Sequence, residues 1–96
     1  MTSININELI WDSFNKEHIK KHKVSIAEAE ETIVHIKAHR KGYGNRIILI
    51  GRSEKRIISI IVAKEKNKKY YIVTARDADA KERKIVYEKE KQNPCI

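Results

Sequence analysis

Two histidine pairs are the first residues whose spacing could do chemistry. His18 and His22 stand four apart, as do His35 and His39. On a helix that interval places two imidazoles on one face, where they could hold a metal, contact phosphate or move a proton. No metal is expected, because the chain has no His-Glu-x-x-His pattern and no cysteine pair, and Lys20, Lys21 and Lys23 crowd the first pair with like charge. The plainer alternative for His18 and His22 is a packing or capping role near a sheet edge. Arginines at strand ends form the second set: Arg52 follows Gly51, Arg56 opens the next apolar run, and Arg76 closes the last. Guanidinium groups bind phosphate bidentately and tyrosine rings stack bases. Strict alternation from Tyr70 to Arg76 would place Tyr70 and Arg76 on one face, a surface suited to single-stranded RNA. The competing reading pairs Arg76 with Asp77 or Glu82. A strand-end arginine facing solvent would contribute little to stability.

The elements that must position these residues follow from periodicity. Ile6, Leu9, Ile10 and Trp11 predict a short first strand ending at Asp12, with Trp11 at the core or its edge. Residues 13–22 read as one helix anchored by Phe14 and Ile19. Ser25 and Glu28 fit a capping box, and Ile26, Ala29 and Ile33 recur at helical spacing, so a second helix runs from about Ile26 to about His35. Strands follow from Ile36, from Arg46 to Arg52, from Arg56 to Lys64 and from Tyr70 to Arg76, with turn chemistry at 42–45, 53–55 and 65–68. Asp79 and Glu82 form another capping box, and Asp79 with Arg83 a favourable pair four apart, so a last helix starts near Ala80. The expected fold is α+β: two N-terminal helices, a four-stranded antiparallel meander sheet with one covered and one open face, and a C-terminal helix. One domain spans 1–96, with a core at about 6–91 and a frayed tail at 92–96.

Composition bounds the partners. Ninety-six residues carry 21 Lys and Arg against 13 Asp and Glu, a formal charge of +8. Such a surface favours a polyanion. The excess sits in the middle: residues 36–69 hold eleven basic side chains against Glu54 and Glu65 only. Glycine occurs three times, all between positions 42 and 51, which excludes Gly-rich phosphate loops and nucleophile elbows. The lone Cys95 allows no disulfide framework, and the start of the chain has neither the basic opening nor the apolar run of a signal peptide. A cytoplasmic protein with no membrane partner is the expectation.

Several spaced motifs together resemble one family. They are Trp11-Asp12; Asn15, His18 and Ile19; His22 with Val24-Ser25; Glu28-Ala29-Glu30-Glu31; Ile50-Gly51-Arg52; the apolar strand through Val62; Thr74-Ala75-Arg76; and Lys81-Glu82-Arg83 followed by Tyr87. From Trp11 to Tyr87 the chain resembles the BrnT-type toxins of bacterial type II toxin–antitoxin systems. The resemblance implies a small ribonuclease with a RelE-like fold, neutralised by a cognate antitoxin that carries a ribbon-helix-helix DNA-binding part, with a 2:2 complex as the natural assembly. Motif position carries the site over to Arg52, Arg76, Glu82 and Arg83. Lys23 departs from the pattern, standing where the family usually has glycine in a turn.

The expectation is therefore a metal-independent endoribonuclease acting through the RNA 2′-hydroxyl, with no cofactor. Arg76 and Arg52 would stabilise developing charge, with Arg56 and Arg83 as auxiliaries, and His22, His18 or Glu82 would transfer protons. Arg46, Lys55 and Tyr70 would add RNA contacts. The alternative is a catalytically inert basic module that engages an acidic protein or a nucleic acid.

Overall fold

The computed structural model describes residues 4–92. A short 3-10 turn, Ile6–Glu8, leads into β1 (Leu9–Ile10), α1 (Ser13–Lys21), α2 (Ile26–Val34), β2 (Ile36–Lys41), β3 (Arg46–Ser53), β4 (Arg56–Lys64), β5 (Tyr70–Asp77) and α3 (Ala80–Gln92). The α+β class stands, and the sheet is larger and differently paired than expected. It has five strands in the order β1-β5-β4-β3-β2. β1 joins β5 in parallel, Leu9 opposite Tyr70 and Ile10 opposite Tyr71, so the sheet is mixed instead of a four-stranded antiparallel meander. The reason lies in β1's length. The expected first strand forms only at Leu9–Ile10, with Ile6 in the 3-10 turn, and two residues give no sign of a partner that is remote in sequence. Residues 93–96, most of the expected tail, lie outside the described residues, whereas Gln92 belongs to α3.

Each helix starts on a reciprocal cap that satisfies orphan amides of its first turn. Asp12 accepts from the Asn15 amide at 2.8 Å while Asn15 Oδ1 accepts from the Asp12 amide at 2.9 Å. Asn15 is fully buried, and its Nδ2 donates to the Ile10 carbonyl at 2.9 Å, fastening α1 to β1. Ser25 with Glu28 and Asp79 with Glu82 repeat the arrangement at α2 and α3. α1 ends in a Schellman turn: the Val24 amide donates to the Ile19 carbonyl, the Lys23 amide to Lys20, and Lys23 takes φ of 59°. The left-handed turn thus forms without the glycine that suits it best.

The sheet has a core on each face. Ile19 and Val24 beside α1, and Ala29 and Ile33 of α2, pack on Leu49, Ile58, Ile60, Val62, Ile72 and Ala75. On the opposite face Val86 and Ile85 of α3 pack on Ala38, Ile50 and Ile57. The face expected to be open is therefore partly roofed by α3. Gly51 is required by the α2 packing, since a Cβ there would lie 2.6 Å from the His35 carbonyl oxygen and 2.7 Å from that of Thr32.

β5 carries a bulge. Ile61 pairs with Thr74 and Val62 with Ile72, leaving Val73 as the extra residue. Alternation is broken there, so Ile72 and Ala75 both face the α1/α2 core. Tyr70 packs against that same core, while Arg76 emerges on the α3 face opposite Ser59. The expected shared face of Tyr70 and Arg76 is thereby corrected. No helix among the described residues is long and apolar enough to cross a membrane.

Candidate functional site

The α3 face is organised around a buried carboxylate. Glu82, the third residue of α3 and the expected capping partner of Asp79, is fully buried. Arg76 grips it from β5, with Nη1 2.8 Å from Oε1 and Nη2 3.2 Å from Oε2. The Ser59 hydroxyl donates to Oε1 at 2.8 Å and the Asp79 amide donates to the same oxygen at 2.9 Å. Arg40 from β2 brings Nη2 to 3.5 Å of Oε2. Burial by itself pushes the Glu82 carboxyl up, but the Arg76 guanidinium, the Asp79 amide and the Ser59 hydroxyl outweigh it and hold the group down at about 2.

This placement follows from register. Ala38, Ile50, Ser59 and Arg76 form one cross-strand row, and Arg40, Ile48, Ile61 and Thr74 the next, so two arginines from opposite sides of the sheet converge beneath the first turn of α3. Arg40 is a residue that sequence reasoning counted as charge and did not single out. Its signal was the two-residue offset from buried Ala38, legible only once β2 is known to face α3.

Arg52, Arg56 and Arg83 are engaged as well. Arg52 donates from Nε and Nη2 to the two oxygens of Glu90 on α3, each at 2.8 Å, and from Nη1 to the Lys55 carbonyl, with its guanidinium carbon 5.8 Å from the Tyr87 ring centre. Arg56 sits across the same β3–β4 turn, on the other face of the sheet. It donates to Asp77 at 2.6 Å, to Glu28 at 3.0 Å and to the Lys23 carbonyl at 2.8 Å, joining β4 and β5 to both N-terminal helices. Hydrogen bonds from Arg52 and Arg56 hold the Glu90 and Asp77 carboxyls below the usual carboxylate range. Arg83 donates to the Ala78 carbonyl at 2.6 Å in place of the expected pairing with Asp79.

The sequence-derived site is thus divided. Arg76, Glu82 and, farther along the same face, Arg52 lie under α3. His18 lies on α1 and His22 at its C-cap, across the sheet, with ring centres 5.3 Å apart in an edge-on contact. Lys55 is exposed in the β3–β4 turn, and Arg46 lies at the far end of β3 from Arg52. Among the described residues no group of three or more His, Cys, Asp or Glu side chains is arranged to hold a metal ion. Of the three proton-transfer candidates, Glu82 is the least suited: it stays ionised near neutrality, its oxygens are saturated by donors, and solvent does not reach it.

No family model, curated protein or solved structure matches the chain.

Proposed function

We propose that the protein is a metal-independent endoribonuclease of the toxin type, with the node formed by Arg76, Arg40 and Glu82 as its anion-binding centre. The observation that carries the reading is that two guanidiniums converge on one buried carboxylate already held by Ser59 and an amide. The cluster keeps a net positive charge. Arg76 and Arg40 remain 32% and 53% exposed in their side chains, so donors already oriented by Glu82 are open to a phosphate. Ordering the guanidiniums in advance lowers the entropic cost of meeting the transition state.

In the proposed reaction the RNA 2′-oxygen forms a bond to the adjacent phosphorus and the bond to the 5′-oxygen breaks. The products are a 2′,3′-cyclic phosphate and a 5′-hydroxyl. The 2′ proton passes to water and the leaving oxygen takes one from water, while Arg76 and Arg40 stabilise the charge that builds on the non-bridging oxygens. The resemblance to BrnT-type toxins supports a cognate antitoxin, and the basic excess of residues 36–69 supports an acidic segment of it that covers the face RNA would use. The test is incubation of purified protein with total RNA, with and without EDTA. Cleavage that survives chelation and fails in Arg40→Ala and Arg76→Ala supports the reading; cleavage that requires added Mg²⁺ or Zn²⁺ overturns it.

One observation favours the second reading, an inert basic module. Arg52, Arg56 and Arg76 are each satisfied by carboxylates of the same chain. RNA retarded by the protein and recovered intact after long incubation would establish it.

A further inference from the structure

Of the basic side chains in residues 36–69, three arginines are paired by carboxylates of the chain. Arg40, Arg52 and Arg56 receive carboxylates supplied by α2, β5 and α3. At the opposite end of the sheet no such partner is supplied. Lys41, Arg46, Lys64, Lys66, Lys68 and Lys69 are exposed, and none forms an ion pair among the described residues.

These cations are gathered by backbone structure. The β2–β3 turn closes through the Gly42 amide donating to the Arg46 carbonyl at 2.8 Å, and the β4–β5 connection through the Glu65 amide donating to the Lys69 carbonyl at 2.8 Å. Asn45 clasps the two connections together: its Nδ2 donates to the Lys64 carbonyl at 3.0 Å, and the Lys64 amide donates to the Asn45 carbonyl at 3.0 Å. Between them lies a groove of about 550 Å³ bordered by Lys41, Arg46, Lys64 and Lys66. Glu65 is the single acidic side chain on its wall. Tyr43, 92% exposed, stands at the tip of the first turn. In the second, Asn67 and Lys68 both take left-handed φ, 64° and 58°, so a lysine is kept where glycine would be less strained.

Solubility alone accounts for scattered lysines on strand edges. It does not account for two separate turns clasped around one groove, with unpaired cations bordering it and an exposed ring at the tip of one of the turns. Crowding like charges raises the energy of the free protein and is repaid only by an anion. We infer that this groove is a second RNA contact, gripping the phosphates of a single strand while Tyr43 offers a face on which a base can stack. The inference rests on the RNA reading of the function. Along β3 the groove lies about 20 Å from the Arg52 end of the sheet, six residues at about 3.3 Å each, and its Lys41 and Lys64 share the face of the α1/α2 core, so a strand touching both regions passes around the end of the sheet and spans several nucleotides.

The test is fluorescence anisotropy with a labelled single-stranded RNA oligonucleotide across a salt series, run beside a DNA oligonucleotide of the same sequence and polyglutamate. The variants are Arg46→Ala/Lys64→Ala/Lys66→Ala and, separately, Tyr43→Ala, all at exposed positions, with circular dichroism melts as the folding control. Removing three phosphate contacts should weaken RNA binding at least about tenfold and reduce the slope of log K against log salt by about two. Tyr43→Ala should weaken binding with the slope unchanged. An unaltered affinity and slope in the triple variant, or polyglutamate bound more tightly than RNA through these residues, overturns the inference. Tighter binding of DNA than RNA overturns it as well. RNA bound through the groove by a protein that cleaves none refutes the nuclease reading and leaves the groove standing. RNA cleaved by a protein whose triple variant binds normally does the reverse.

Discussion

The Arg76 guanidinium and the Glu82 carboxylate form a two-pronged ion pair, 2.8 and 3.2 Å, in which the carboxylate is wholly buried and the arginine is one-third exposed. The asymmetry matters: removing the arginine strands a buried charge, whereas removing the carboxylate frees a cation that water can reach.

Arg76→Ala should therefore abolish RNA cleavage and also destabilise the fold, in contrast to the small effect expected of a solvent-facing strand end. Breaking a buried pair costs about 3–5 kcal/mol, and partial exposure of Arg76 brings the figure to about 2–3 kcal/mol. For a domain of this size the melting temperature falls by about 10 °C or more. Thermal melts check it, and Glu82→Gln/Arg76→Ala should recover part of the loss. A melting temperature equal to wild type would show that Glu82 does not depend on Arg76.

Acid should unfold the protein through Glu82. Its folded carboxyl titrates at about 2, against an ordinary value of 4.5, so the stability it contributes is complete above about 4.5 and is lost as the pH falls toward 2. The full contribution is about 3 kcal/mol. Asp12, Glu28, Asp77 and Glu90, also lowered, act in the same direction. Urea midpoints measured from pH 7 to pH 2.5 should drop in that window, and Glu82→Gln should flatten the drop. An equally steep decline in the variant would assign acid sensitivity elsewhere.

Lys23→Gly should stabilise the protein by about 1 kcal/mol, because Lys23 holds a left-handed φ that glycine adopts freely. The gain is reduced by the greater freedom of glycine in the unfolded chain. The urea midpoint is the readout; a decrease would mean that the lysine stem contributes more packing than its backbone costs.

Gly51→Ala should be among the most damaging single-methyl additions in the chain. Its Cβ would meet two carbonyl oxygens within 2.7 Å, and both belong to backbone at the end of α2 that cannot swing aside. A loss of about 2–3 kcal/mol is expected, with α2 displaced from β3. An unchanged melt would require the helix end to shift without cost.

Much of this architecture was legible in the sequence where the signal was local. Ser25 with Glu28 and Asp79 with Glu82 announced two helix starts, and both caps are present with reciprocal bonds. Trp11 packs against the core as its position suggested. What depended on distant pairing was hidden. The Val73 bulge reverses which face Tyr70 shares with Arg76, and no residue type marks it in advance. The burial of Glu82 was equally invisible: a capping glutamate normally sits in solvent, and here two arginines brought in by cross-strand register make its burial tolerable. Arg76 and Glu82 were named correctly as partners in one of the two readings of the sequence, while the histidines expected to work beside them lie on the other side of the sheet.

The parallel Leu9–Tyr70 pairing has a bearing on how the protein avoids itself. β5 runs Tyr70-Tyr71-Ile72-Val73-Thr74, an uncharged stretch of β-prone residues of the kind that recruits further strands. At the sheet's other edge, β2 answers that hazard with Lys37, His39, Arg40 and Lys41, all exposed. β5 has no such gatekeepers until Arg76. Its guard is borrowed from the start of the chain: β1 occupies the edge at Tyr70 and Tyr71, and the Tyr71 hydroxyl donates to Asp12 at 2.9 Å, where α1 begins. The segment from Leu9 to Asp12 therefore acts as a stopper, and a chain that lost it would offer a bare, sticky margin to the next copy.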